Sequence, residues 1–268
     1  MKKNKFLFLI FIFSVSCQHD KPKSVVVKSS NEVKKNVQND SISKDIKNPS
    51  GIEAIDIQLS ATFDKLTTNN DSISELFTKQ LKNALLNEMT FNKQLIRLSK
   101  KIKIVSSADK KIKFYSWDDL LGGTWHHINS LAQFKSENGQ LQVKQLNSGN
   151  EYNTGEFTDC SIYQVNEMLS NGKVFYLTMG WCTHGSGAQN DIVQVFRIEK
   201  KKLVKYKTFF PHNKDLVIEY SRRDTLKLKF DTKANEISYN EFKGYDQLYR
   251  STGKTIVLKL KNGVFRRK

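Results

Sequence analysis

Apolar residues change their spacing twice along this chain of 268 residues. A short unbroken apolar run, Phe6 to Phe13, follows the basic start Met1-Lys2-Lys3-Asn4-Lys5 and leads through Ser14, Val15 and Ser16 to Cys17. From Gln18 to about Ser50 the residues are mostly Lys, Asn, Ser and Asp, with no aromatic side chain and no sustained apolar period. That composition predicts a disordered tether over 17–50, and Pro49-Ser50-Gly51 marks its end. From Ile52 to about Leu98 the spacing becomes helical. Ile55, Leu59, Phe63 and Leu66 recur at three or four residues. After Asn69-Asn70-Asp71, so do Ile73, Leu76, Phe77, Leu81, Leu85 and Met89. Ser72 and Glu75 form a capping-box pattern at the head of the second run. Residues 51–99 are thus expected to be two or three amphipathic helices packed on a β domain formed by the rest of the chain.

Beyond about Lys100 the period falls to two. Phe175, Leu177, Met179 and Trp181 would share one strand face, and Leu216, Ile218 and Tyr220 another, while Leu226-Lys227-Leu228-Lys229-Phe230 alternates throughout. Gly122-Gly123, Asn138-Gly139, Asn171-Gly172, Gly185-Ser186-Gly187 and Asn262-Gly263 separate these runs as hairpin turns do. The predicted class is α+β, mainly β: N-terminal amphipathic helices, then an antiparallel β-meander over 100–268 forming a sandwich or barrel. A small propeller is the alternative, placed second because no fixed-period repeat accompanies the strands.

The first seventeen residues have the order of an export signal: basic head, short apolar run, small residues before the cleavage point. The apolar run is well under the roughly 20 residues a membrane-spanning helix needs. Because a cysteine follows the small residues, the segment resembles a lipobox, with Ser14 where lipoprotein signals usually carry Leu. The resemblance implies a signal peptide over 1–16, a lipid anchor on Cys17 and export as a lipoprotein; plain secretion and an uncleaved anchor are the alternatives. Gln18-His19-Asp20 puts no Asp directly after Cys17, so the expected address is the outer membrane, on its periplasmic or its exposed side.

Formal net charge is +17, and loss of the signal would leave about +14. The excess is mostly Lys spread along every segment, whereas nucleic-acid readers concentrate Arg forks on one element, so no nucleic-acid partner is expected. A solvated Lys-rich surface is the plain reading. The partners left open are the membrane through its lipid, an envelope protein, a glycan or an anionic lipid surface.

The most distinctive stretch is Tyr115-Ser116-Trp117-Asp118-Asp119-Leu120-Leu121-Gly122-Gly123-Thr124-Trp125-His126-His127. It resembles the strand, acidic turn, Gly-Gly-Thr and second strand of a group of exported, β-rich bacterial proteins, a resemblance that covers about the last two-thirds of the chain and implies no activity. Asp118 and Asp119 would open a turn whose glycines supply positive φ. Adjacent His126 and His127 would point to opposite strand faces and could not readily share an ion, so neither a metal site nor a cofactor is expected. Cys182-Thr183-His184 invites a Cys/His nucleophile reading, but nothing marks an orienting third group. In an oxidising compartment, Cys160 and Cys182 more often mean a disulfide than separate buried thiols. Possible ligand contacts are Asp118, Asp119, Trp125, His127, Trp181 and His184. No catalytic residue is assigned, and the expected function is a non-catalytic binding or interaction module of the envelope, with an envelope hydrolase as the alternative.

Overall fold

The helical spacing after Gly51 becomes α1 (Ile52–Phe63), α2 (Asp71–Leu85) and a short α3 (Glu88–Asn92). The computed structural model describes residues 51–268 apart from 125, 149–158, 184, 186, 246 and 247, all within one unit spanning Lys47–Lys268. The expected signal, Cys17 and tether therefore lie outside the described residues, as do Trp125 and His184.

Helix α2 buries a narrow stripe, Ser74, Phe77, Leu81 and Leu85. Its cap is Asn70, whose side chain accepts the Ile73 amide at 3.2 Å. Ser72 of the expected capping box is already inside the helix, because Asn70 caps as well as a serine would and stands earlier in the chain. The Phe77 ring meets Phe63 at 5.2 Å and Trp117 at 5.3 Å, both edge-on. Asp56 of α1 accepts the Arg97 and Leu98 amides at 2.7 and 2.9 Å, which fastens the first helix to the segment entering the first strand.

Three antiparallel sheets follow in chain order. The first is the meander β1 (Lys103–Ser106), β2 (Ile112–Asp118), β3 (Ile128–Lys135) and β4 (Leu141–Ser148). The second contains β5 (Ser161–Ser170), β6 (Lys173–Thr183), β7 (Ala188–Glu199) and β8 (Lys202–Lys205), with β9 (Leu216–Ser221) also paired to β7. The third is the meander β10 (Lys229–Asp231), β11 (Glu236–Tyr245), β12 (Leu248–Lys261) and β13 (Val264–Arg267). Asn171-Gly172 and Asn262-Gly263 turn their hairpins with both residues at positive φ, 50° and 70°, then 51° and 78°, the conformation a two-residue hairpin loop requires.

Side-chain alternation stacks these elements in layers. Leu59, Phe77 and Leu81 of the helices pack on Tyr115, Trp117 and Leu131 of the first sheet. The other face of that sheet, with Ile112, Phe114 and Phe134, meets Tyr176, Ile192 and Phe196 of the second. Phe175, Leu177 and Met179 share the remaining face of β6 and pack with Val193 and Val195 against Ile237 and Phe265 of the third sheet. The fold is mainly β with a few helices, and among the described residues no sheet closes into a barrel. One expected strand is shorter than its pattern: within Leu226–Phe230 only the end joins β10. Upstream, Asn240 takes the ladder's place, its side chain accepting the Lys227 amide at 2.7 Å and donating to the Thr225 carbonyl at 3.0 Å.

Candidate functional site

The two-residue period of β2 decides where the acidic pair points. Tyr115, Trp117 and Asp119 fall toward the helices, whereas Phe114, Ser116 and Asp118 fall on the other face. Beyond Asp118 both carboxylates fold the chain back, accepting the amides two residues on: Asp118 from Leu120 at 2.9 Å and Asp119 from Leu121 at 3.1 Å. Positive φ is supplied by Leu120 (67°) and Gly123 (59°), so only one of the two expected glycines carries it.

On the return, each histidine meets the aspartate eight residues before it. His126 Nδ1 lies 2.5 Å from Asp118, and His127 Nδ1 lies 2.5 Å from Asp119. The histidines are thus held apart by alternation, as expected. Among the described residues no group of three His, Cys, Asp or Glu side chains could hold a metal ion.

Asp119 is the better built of the two. Its side chain is 2 % exposed and also accepts from Asn129 at 2.7 Å and from the Ser74 hydroxyl at 3.2 Å. Burial by itself would raise this carboxyl. The hydrogen bonds from His127, the Leu121 amide and Asn129, together with the charge on His127, outweigh it and hold the group below the ordinary aspartate value. Above the pair, α2 and the ends of β2 and β3 enclose a cavity of about 430 Å³. Asp119, His127 and Asn129 line one side; Asp71, Glu75, Lys79 and Lys82 of α2 line the other. Lys82 also donates to Gln145 of β4, which ties the helix to the sheet beside the opening.

Asp118 and His126 stand near a second group. The His126 ring meets Trp181 edge-on at 5.8 Å, and the Trp181 indole N–H donates to Gln189 at 3.0 Å. Arg222 reaches the Thr183 hydroxyl and the Thr124 carbonyl, pinning the 118–127 loop to the second sheet. Asp118 and Trp181 are therefore near one another, while Asp119 and His127 belong to the α2 cavity; the expected contacts divide between two places.

No family model matches the chain, and no curated protein matches it. Among solved structures it aligns with Morganella morganii TcdA4, determined by cryo-electron microscopy, at 8% identity and a TM-score of 0.26. The alignment covers 82% of this chain and 9% of that one, and so weak a likeness carries no argument about fold or function.

Cys160 and Cys182 are both buried thiols between the first and second sheets. The Cys160 side chain lies against Gly180, where an added Cβ would come within 2.4 Å of its Sγ. No bridge joins the two cysteines in this structure. Burial pushes both thiols well above their usual pKa, which leaves Cys182 a poor nucleophile. The residues that sequence reasoning missed are those of α2. One signal was present, a serine inside an otherwise apolar stripe. Asp71, Glu75, Lys79 and Lys82 carried none, since such a face normally meets only water.

Proposed function

We propose that this chain is a lipid-anchored protein of the outer membrane that binds a small polar ligand without transforming it. The observation that carries the reading is the cavity between α2 and the first sheet. Its floor is a hydrogen-bonded Asp119–His127–Asn129 set, and its helical wall presents acids and amines one turn apart. Such a surface favours a ligand bearing both charges, because each can pair with its opposite on the helical wall. The anchor rests on the lipobox resemblance at Cys17, and envelope protein, glycan and anionic lipid remain the partner classes that suit a basic, exported chain.

The test is thermal stabilisation of the full chain by a panel of free amino acids and dipeptides. A ligand at 100 times its Kd adds about 2.7 kcal/mol to stability, a clear shift in Tm. At least one zwitterion should stabilise the parent, and Glu75→Gln combined with Lys79→Gln should lose that effect while retaining the parent's own melt. Stabilisation by none of them would count against the ligand class.

A hydrolase is the second reading, favoured by one feature: a buried carboxylate orienting an imidazole is the arrangement of a general base. Against it, the Ser74 hydroxyl in the same cavity donates to Asp119, a structural use of its proton. Turnover of ester or peptide substrates that disappears in His127→Ala would reverse the order of the two.

A further inference from the structure

On the far side of the second sheet, β9 runs past the β11–β12 hairpin and leaves a cavity of about 590 Å³. Three of its lining side chains are aromatic, Tyr239, Phe242 and Tyr249, and three are planar and charged, Glu219, Glu241 and Arg267. The volume lies within the range of small-molecule sites.

These groups are held in place by contacts of their own. Tyr249 pairs across the ladder with Gly244, and its ring covers the glycine so closely that an added Cβ would lie 2.8 Å from it. A larger residue at 244 would lift the ring from the strand. The Tyr249 hydroxyl lies beside the Glu219 carboxylate, which raises its pKa. Glu241 accepts from the Thr252 hydroxyl at 2.9 Å and from Arg267 at 3.4 Å. The register of the hairpin shifts between the Asn240–Thr255 and Phe242–Ser251 pairs, with the extra residues in β12. Phe242 stands 5.3 Å from the Tyr220 ring, and Tyr220 is itself fixed by its hydroxyl on Asp191 at 2.7 Å.

Half-buried ring faces beside pre-oriented planar acceptors and one planar donor suit a ligand with apolar faces and a hydroxylated edge. A pyranose has that form: its C–H faces lie on aromatic rings, and neighbouring hydroxyls bridge the two oxygens of a carboxylate or the fork of a guanidinium. An anion would face two carboxylates, and an organic cation would face Arg267. We propose that this cavity is a saccharide subsite taking a neutral pyranose unit of a glycan, with Tyr249 as its stacking platform and Glu219, Glu241 and Arg267 as its hydroxyl partners. The site is separate from the α2 cavity and does not depend on it.

The test is titration of the purified full chain, in a detergent that contains no sugar, with maltotriose, cellotriose and tri-N-acetylchitotriose, followed by ligand-observed NMR. At least one of the three should saturate below about 10 mM. Glu219→Gln and Tyr249→Ala should each weaken it by about tenfold or more, whereas His127→Ala should leave it unchanged. Glu219→Gln keeps shape and packing, so it decides the matter if Tyr249→Ala fails to fold. Saturation by none of the three sugars, or binding indifferent to Glu219→Gln, would overturn the proposal. So would tetramethylammonium binding that shows the same sensitivity to the variants, since the cavity would then be a cage for a cation.

Discussion

Two buried aspartates show how the same residue type takes opposite parts. Asp119 has its carboxylate satisfied by four donors and its pKa held below the ordinary value despite burial. A depressed folded-state pKa contributes stability that is complete above the unfolded value, about 3.9, and is lost as pH falls through the folded one. Asp119→Asn should therefore cost roughly 1–3 kcal/mol near neutral pH and flatten the acid limb of stability against pH, read by urea unfolding between about pH 7 and pH 2. An unchanged acid limb would show that another group governs it. Asp191 accepts from Tyr163 at 2.5 Å and Tyr220 at 2.7 Å, but burial outweighs those bonds and raises its pKa. Its contribution runs the other way, favouring the fold below the unfolded value and lost as pH rises through the folded one, so Asp191→Asn should cost less at neutral pH than Asp119→Asn. Gly180 is a steric case: an alanine Cβ would lie 2.4 Å from Cys160 Sγ and 2.9 Å from its Cβ. Gly180→Ala should cost about 1–3 kcal/mol, and Cys160→Ala in the same chain should restore only part of it, because the Cβ clash remains. Strict additivity of the two in a double-mutant cycle would refute the contact.

Elements depend on a few terminal residues. The start of α2 rests on Asn70, whose side chain satisfies an otherwise unpaired amide. Asn70→Ala should lower stability by about 1 kcal/mol, while Ser72→Ala, inside the helix, should be neutral or slightly favourable because alanine is the better helix former. A larger loss for Ser72→Ala in thermal melts would move the cap back to the residue the capping-box pattern suggests. The strands were legible where alternation was bounded by Asn-Gly turns. They were less legible at Leu226–Phe230, where Asn240, distant in sequence, binds the backbone that the pattern alone would place in a ladder.

At the scale of the molecule, each sheet is placed by the faces it buries. The first is covered by helices on one side and by the second sheet on the other, and the second lies between the first and third. Anchoring belongs to this scale as well. Cys17→Ala should leave the chain as precursor or in the soluble fraction, because the proposed thioether is its hold on the membrane. Recovery of mature Cys17→Ala protein in washed membranes would remove the lipid from the account.

Local pattern determined the mainly β class, the helical N-terminal portion of the fold, most hairpin positions and the separation of His126 from His127. These follow from side-chain period and turn chemistry, which a short stretch of chain contains in full. Tertiary structure decided what surrounds each aspartate–histidine pair. It brought Ser74 of α2 to Asp119 across 45 residues and closed a cavity with a helix face that reads as solvated. It also joined β9 to the aromatic face of the third sheet. Each of those contacts is made between side chains far apart in sequence, so the residues' own spacing holds no record of them until the layers are stacked.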